Sequence, residues 1–236
     1  MDFEIKIRTA SQRWLAINTD DPNVSQHFNS GNSYATTVLN EINQNNIYDY
    51  LLQGANNITV LDIGANIGLF SLYASPIARK IYAFEPTPAH YKILTTLTGQ
   101  CSNVVTAQTA LSDNNGTTDF YINDENTTMN SLANTYGKKI NVQSVTLKTL
   151  LDNINEPKID FVKCDIEGGE MVALCDATVG PVSDRIKVWY IECHSTDPNN
   201  WDASLQANRN ALATMFVRQG YQVHKVNHDI LYAQKD

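Results

Sequence analysis

Two short blocks hold most of the side chains in this sequence that could do chemistry. "KCDIEGGE" (163–170) places Lys163, Asp165 and Glu167 within five residues, and "IECH" (191–194) adds Glu192 and His194. On an extended strand Lys163 and Asp165 share one face, with Cys164 and Ile166 on the other. Five ionisable groups at two adjacent strand ends are costly to desolvate, which points to a use. One use is proton abstraction. His194, with an intrinsic pKa near ~6.5, and Asp165 are the candidates for general base, flanked by Lys163 and Glu167. A second is a divalent cation, Mg²⁺ or Mn²⁺, held by Asp165, Glu192 and His194 with Glu167 as a further donor, which would acidify a bound hydroxyl. A third makes Lys163 and Glu192 a buried ion pair bracing two strands. The residue types alone leave these open.

A separate block, "VLDIGANIGLF" (60–70), carries Asp62, Gly64, Asn66 and Gly68 directly after an apolar run. Glu85 follows 21 residues beyond Gly64. A carboxylate there can accept both hydroxyl hydrogens of a ribose, so an adenosine-containing ligand is expected. A pyrophosphate-binding fingerprint requires a third glycine where this chain has Leu69. Asparagine is among the few side-chain-bearing residues that tolerate positive φ, so Asn66 can keep the turn while adding an amide. The loop therefore favours a ligand without phosphates, such as S-adenosylmethionine, whose sulfonium cation suits an acidic pocket. A nicotinamide-dependent oxidoreductase is disfavoured by the missing glycine and by the hairpin that ends the chain.

These residues need strand ends to hold them, and the pattern supplies them. "ITVLDI" (58–63) reads as a buried strand, followed by a two-turn helix from Gly68 that Pro76 stops. "KIYAFE" (80–85) is a second strand. A helix follows with Thr87 as N-cap, Pro88 first and Gly99 at its end. "NVVTAQTAL" (103–111) is a third strand, and the alternation predicts a parallel sheet. "TTDFYI" (117–122) and "VQSVTL" (142–147) then form a hairpin-like excursion. "TLLDNI" is a short helix, "IDFVKCD" (159–165) a fourth core strand, "GGEMVALCDA" a helix and "IKVWYIEC" (186–193) a fifth strand. A long helix after Asp202 closes on Gly220. "YQVHKV" and "ILYAQK", separated by Asn227, His228 and Asp229, make a tight antiparallel hairpin. Residues 1–55 read as a strand-plus-helix cap over the ligand edge rather than an independent domain, with 56–236 as the main domain.

The blocks "VLDIGANIGLFS", "YAFEPTPAHYKIL", "ALSDNNG", "VTLKTLL" and "IDFVKCDIEGGE" occur in the order and spacing of the FkbM family of S-adenosylmethionine-dependent methyltransferases, which the chain resembles over roughly residues 58–195. The resemblance implies a class I methyltransferase (Rossmann-like) fold, a seven-stranded, mostly parallel sheet with an antiparallel C-terminal hairpin. It also implies O-methylation of a hydroxyl, commonly on sugars of glycans or glycoconjugates or on small secondary metabolites. By that resemblance Asp62, Gly64, Ala65, Asn66 and Gly68 line the methionine and ribose side of the cofactor and Glu85 holds the ribose. The segment around Gln108, Ala110 and Leu111 faces adenine. A plainer role for Asp62 is as a carboxylate capping the loop. A catalytically retired, cofactor-binding interaction module is argued against by the intact Asp165, Glu167 and His194.

Composition narrows the partners. With 17 basic against 25 acidic residues, a net charge of −8, the chain lacks the positive surface that binding to nucleic acid requires. No apolar run approaches a membrane span, and the charged, alternating N-terminus is not that of a secretory leader. Cys101, Cys164, Cys175 and Cys193 form no CxxC and read as reduced thiols, so a cytoplasmic setting is expected. His90, His224 and His228 read as surface or packing residues. "NTTMNSL" (126–132) reads as a solvated loop in which Asn130 or Ser131 could touch ligand, and "FNSGNSY" (28–34) as part of a lid.

Overall fold

A computed structural model describes residues 3–29, 34–45, 48–122, 130–132 and 137–235. Most of the "NTTMNSL" and "FNSGNSY" stretches lies outside the described residues. The chain divides into two compact units, Met1–Ala107 and Gln108–Asp236.

The first unit opens with an antiparallel hairpin, β1 (Phe3–Arg8) and β2 (Trp14–Thr19), followed by the short helices α1 (Pro22–Asn29), α2 (Tyr34–Asn40) and α3 (Asp49–Leu52). Then come β3 (Ile58–Ile63), α4 (Leu69–Ala74), β4 (Ala78–Phe84), α5 (Pro88–Thr98) and β5 (Val104–Ala107). β4 pairs in parallel with both β3 and β5, as the βαβ alternation requires. Every residue of α4 is buried, which explains its apolar sequence LFSLYA. The opening segment is tied to that helix. The Ala10 N–H donates to the Tyr73 carbonyl, and the Tyr73 hydroxyl donates to Asp49 Oδ1 at 2.7 Å. Tyr48 lies edge-on to Phe70.

The second unit begins with a three-stranded sheet in the order β6 (Ala110–Leu111), β8 (Lys138–Val145), β7 (Gly116–Ile122). β7 and β8 are the expected antiparallel excursion. "NVVTAQTAL" is not one strand. It breaks at Gln108–Thr109, and β6 leaves to pair with β8 because Ala110 packs into an apolar cluster with Phe120 and Val142. Strand β8 ends at Val145, short of the expected Leu147, because Thr146 caps α6 (Leu147–Ile154) by accepting the Thr149 N–H. After β9 (Phe161–Cys164) the expected single helix is two pieces, α7 (Glu170–Ala173) and α8 (Asp176–Val179), separated where Leu174 turns extended. β10 (Val188–Glu192), α9 (Trp201–Arg218), β11 (Gln222–Lys225) and β12 (Ile230–Gln234) complete the chain. Helix α9 starts at Trp201, slightly earlier than the sequence suggested.

The main sheet has seven strands in the order β11-β12-β10-β9-β3-β4-β5. β12 is antiparallel to both its neighbours, so of the terminal hairpin only this strand runs against the sheet. The hairpin turn is built by Asn227, whose side chain accepts the N–H of Ile230 at 2.7 Å. His228 is a turn residue whose carbonyl accepts from Arg209, and His224 stacks on Tyr232. No described helix is long and apolar enough to cross a membrane. All four cysteines are free, with Cys164 and Cys193 buried and Cys101 and Cys175 partly so.

Candidate active site

In the first unit the loop after β3 alternates left-handed residues. Gly64, Asn66 and Gly68 have φ of 78°, 51° and 91°, so Asn66 adopts the conformation its residue type allows. Gly68 is required twice over. Its φ is positive, and a Cβ there would lie 2.6 Å from Leu94 Cδ1 and 3.1 Å from Thr98 Cγ2 of α5. Ala65 packs against Ala83 and Leu94 on the inner side of the loop. Asp62 is fully buried, and its Oδ2 accepts the Ser71 hydroxyl at 2.6 Å, which ties the strand end to α4.

Glu85, 5% exposed, is clamped by backbone donors. Its Oε2 accepts the Asn66 N–H at 2.9 Å and its Oε1 the Thr87 N–H at 2.8 Å. The carboxylate is thereby fixed in direction. Beside it lies His90, whose Nδ1 is 3.9 Å from Glu85 Oε1 and whose ring meets His27 of α1 edge-on at 5.7 Å. Burial pulls the His90 imidazole down to about 4, so it is neutral at physiological pH. A folded-state pKa below the ordinary 6.5 makes the stability contribution of this group complete above pH 6.5. It declines as pH falls and the unfolded chain takes up a proton that the folded chain refuses, and is fully lost below about 4. About 3 kcal/mol is at stake over that window. His90→Phe should flatten the fall of Tm between pH 7 and pH 5; an unchanged slope would count against this account.

In the second unit the six residues Lys163, Asp165, Glu167, Glu170, Glu192 and His194 gather at the ends of β9 and β10. The Lys163 ammonium donates to Asp165 Oδ2 at 2.9 Å, with both groups largely buried. His194 is the hub. Its Nδ1 lies 3.1 Å from Glu170 Oε1, while its Nε2 faces Glu167 Oε2 at 3.5 Å, Asp165 Oδ1 at 3.7 Å and Glu192 Oε1 at 3.9 Å. Glu170, 1% exposed, also accepts the N–H groups of Ile166 at 2.8 Å and Gly168 at 2.9 Å, so it closes the loop as well as orienting the histidine. Burial opposes charge on His194, but Glu170, then Glu167 and Asp165, outweigh it and hold the imidazolium well above its ordinary range. Burial also disfavours the Asp165 carboxylate, yet Lys163 and His194 keep it below the usual value. Burial, aided by Asp165, Glu170 and Glu192, pushes Glu167 up to about 8; Asp165 and burial do the same to Glu192.

The sequence's catalytic candidates Lys163, Asp165, Glu167 and His194 lie near one another, and two details of their arrangement differ from the expectation. Lys163 makes its close pair with Asp165, the partner two residues on. Glu170 was missed; its signal was an acid in the first turn after Gly-Gly, where a carboxylate reaches back to loop N–H groups. His90 and Ser131 also have more to do than expected. Ser131 is fully buried and Asn130 nearly so, which corrects the expectation of a solvated position for these two residues. Of the adenine-side residues, Ala110 and Leu111 are buried on β6, with backbones paired to Ser144 and Val145, and Gln108 sits in the break before them. For a cation, Asp165, Glu167 and His194 each present one donor atom, all within 4.8 Å of one another. That set replaces the Glu192 of the sequence reading with Glu167.

A family model described as the methyltransferase FkbM domain matches residues 62–223. Among curated proteins, the methyltransferase sdnD of Sordaria araneosa is 32% identical over 178 residues, covering 59% of this chain and 68% of that protein. Among solved structures, the magnesium protoporphyrin IX methyltransferase of Synechocystis PCC 6803 with bound SAH aligns with a TM-score of 0.50 at 9% identity, covering 91% of this chain and 93% of its own. Similarity at that identity speaks for the fold alone.

Proposed function

We propose, for a chain that belongs to the FkbM methyltransferase family, that the methyl acceptor is a hydroxyl, foremost one on a sugar of a glycan or glycoconjugate. The class I methyltransferase fold and the use of S-adenosylmethionine come with that membership. The observation that carries the hydroxyl reading is the set Glu167–His194–Glu170, a proton-handling array in place of a simple binding surface. An alkyl hydroxyl is a weak nucleophile, so its proton must leave as the new O–C bond forms and the C–S bond breaks.

Each residue then has a role. Glu85 and the Asp62–Gly68 loop hold the ribose and methionine portions of the cofactor, and the Gln108–Leu111 segment meets its adenine. Residues 1–55 serve as a cap on the cofactor side, a reading supported by the contact of His27 with His90. Asp165 is committed to Lys163 and His194 to Glu170, whereas the nearest charged partner of the Glu167 carboxylate is His194 at 3.5 Å. Glu167 is therefore the residue we place as proton acceptor; with its carboxyl pushed up to about 8, its ionised form, which His194 favours, is the one that takes the proton, so turnover should rise as pH climbs through 8. The products are S-adenosylhomocysteine and a methyl ether. The test is methyl transfer from labelled S-adenosylmethionine to a panel of glycans and small hydroxylated metabolites. Labelled methyl ether on a sugar supports the proposal; label only on small metabolites, or on nitrogen, overturns the acceptor class.

The donor spacing of Asp165, Glu167 and His194 favours a second reading, in which these residues hold a divalent cation. Such an ion would act as a Lewis acid on the acceptor hydroxyl. The chain's own contribution would be the same three donors, with Glu170 fixing His194 from behind. On the proton-transfer reading, exhaustive chelation followed by buffer exchange changes turnover by less than about twofold. Loss of turnover restored by Mg²⁺ or Mn²⁺ would favour the ion.

A further inference from the structure

We infer that Ser131 is a positioning residue for Glu167, and that the β7–β8 excursion reaches the reactive cluster through it; the inference rests on the role proposed for Glu167. The Ser131 hydroxyl donates to the Glu167 carbonyl at 2.5 Å, and the serine is fully buried. Its own N–H and carbonyl both pair with Tyr121 on β7, at 3.1 and 3.0 Å, so the serine is anchored to the strand. Glu167 has a φ of 54°, in the left-handed region, and the next residue, Gly168, has a φ of 94°. A non-glycine residue is held there only when its surroundings over-determine it.

The surroundings do so from two directions. Glu170 takes the N–H groups of Ile166 and Gly168, one on each side of Glu167. Ser131 takes the carbonyl of Glu167 itself. With those peptide groups fixed, the Cα–Cβ bond of Glu167 has one direction, and from there its carboxylate comes to 3.5 Å from His194 Nε2. Glycine would occupy this backbone position more easily, so the carboxylate is what the position is kept for. A part-buried carbonyl that loses its donor will turn to find another, and the turn redirects Glu167.

The test uses Ser131→Ala and Glu167→Gln, singly and together, in the full chain. Ser131→Ala should lower the turnover number for labelled methyl incorporation into the glycan panel roughly 10- to 100-fold, with affinity for S-adenosylhomocysteine within about twofold. The double variant should be no slower than Glu167→Gln alone, because both changes remove the same contribution. Native-state hydrogen exchange supplies an arm that needs no acceptor: the Gly168 amide should exchange faster in Ser131→Ala. Wild-type turnover and exchange in Ser131→Ala, or losses that multiply in the double variant, would overturn the inference. Faster Gly168 exchange in Ser131→Ala together with a fully active Glu167→Gln would leave the positioning in place and reject Glu167 as the proton acceptor.

Discussion

Glu170→Gln is expected to cut turnover at least about a hundredfold, with cofactor affinity nearly unchanged, although it replaces a single oxygen by nitrogen. Glu170 has three partners and needs acceptors for all of them: the Ile166 N–H, the Gly168 N–H and the His194 ring. A glutamine retains one acceptor oxygen and turns an N–H₂ group toward a donor. One backbone N–H is then buried without a partner, at a cost of roughly 1–3 kcal/mol. The imidazole also loses the anion that stabilises its charge most. It becomes free to rotate, and the 3.5 Å approach of Nε2 to Glu167 is no longer enforced. Isothermal titration with S-adenosylhomocysteine and turnover on the same preparation separate the two effects. Wild-type turnover in a folded Glu170→Gln variant would remove the histidine–carboxylate array from the mechanism.

Glu85→Gln should weaken S-adenosylhomocysteine binding by roughly two to three orders of magnitude, since hydrogen bonds to a charged acceptor contribute about 1.5–3 kcal/mol each. Both carboxylate oxygens are already aligned by the Asn66 and Thr87 N–H groups, so the wild-type carboxylate needs no reorganisation to act as an acceptor. The amide disturbs that alignment, because its N–H₂ must face one of the two backbone donors. At saturating cofactor the turnover number should recover to within a few-fold, because the role we propose for Glu85 lies in cofactor binding and not in proton transfer. An unchanged dissociation constant would mean that the ribose is held elsewhere.

Local pattern made the strand–loop–helix frame legible. The β-branched run of β3, the left-handed Asn66, the Thr87–Pro88 helix start and the Asn227 turn each follow from the chemistry of a few neighbouring residues. The acidic cluster was legible because its residues sit at strand ends. What could not be read depends on contacts between distant segments. Ser131 reaches Glu167 across 36 positions, Glu170 meets His194 across 24, and His27 of α1 meets His90 of α5 from a distant stretch of the chain. β6 parts from β5 for a similar reason: the pull on Ala110 comes from Phe120 and Val142, which no window around residue 110 contains. Lys163 pairs with Asp165, two residues along, a partner that the strand-end pattern alone did not single out.

The loop after β3 also has a consequence in its inventory of hydrogen-bond donors. The N–H groups of Gly64 and Ala65 both point to the Phe84 carbonyl, at 3.0 and 2.9 Å; that of Asn66 goes to Glu85 and that of Gly68 to the Ala65 carbonyl. A pyrophosphate cradle works by leaving such amides outward and unsatisfied until the anion arrives. Here the N–H groups of Gly64, Ala65, Asn66 and Gly68 are already occupied. Restoring the absent third glycine, by Leu69→Gly, would therefore not make this loop bind a dinucleotide. The end of β4 would have to be rebuilt first, so the ligand preference of this loop is written as much at Phe84 and Glu85 as in its glycines.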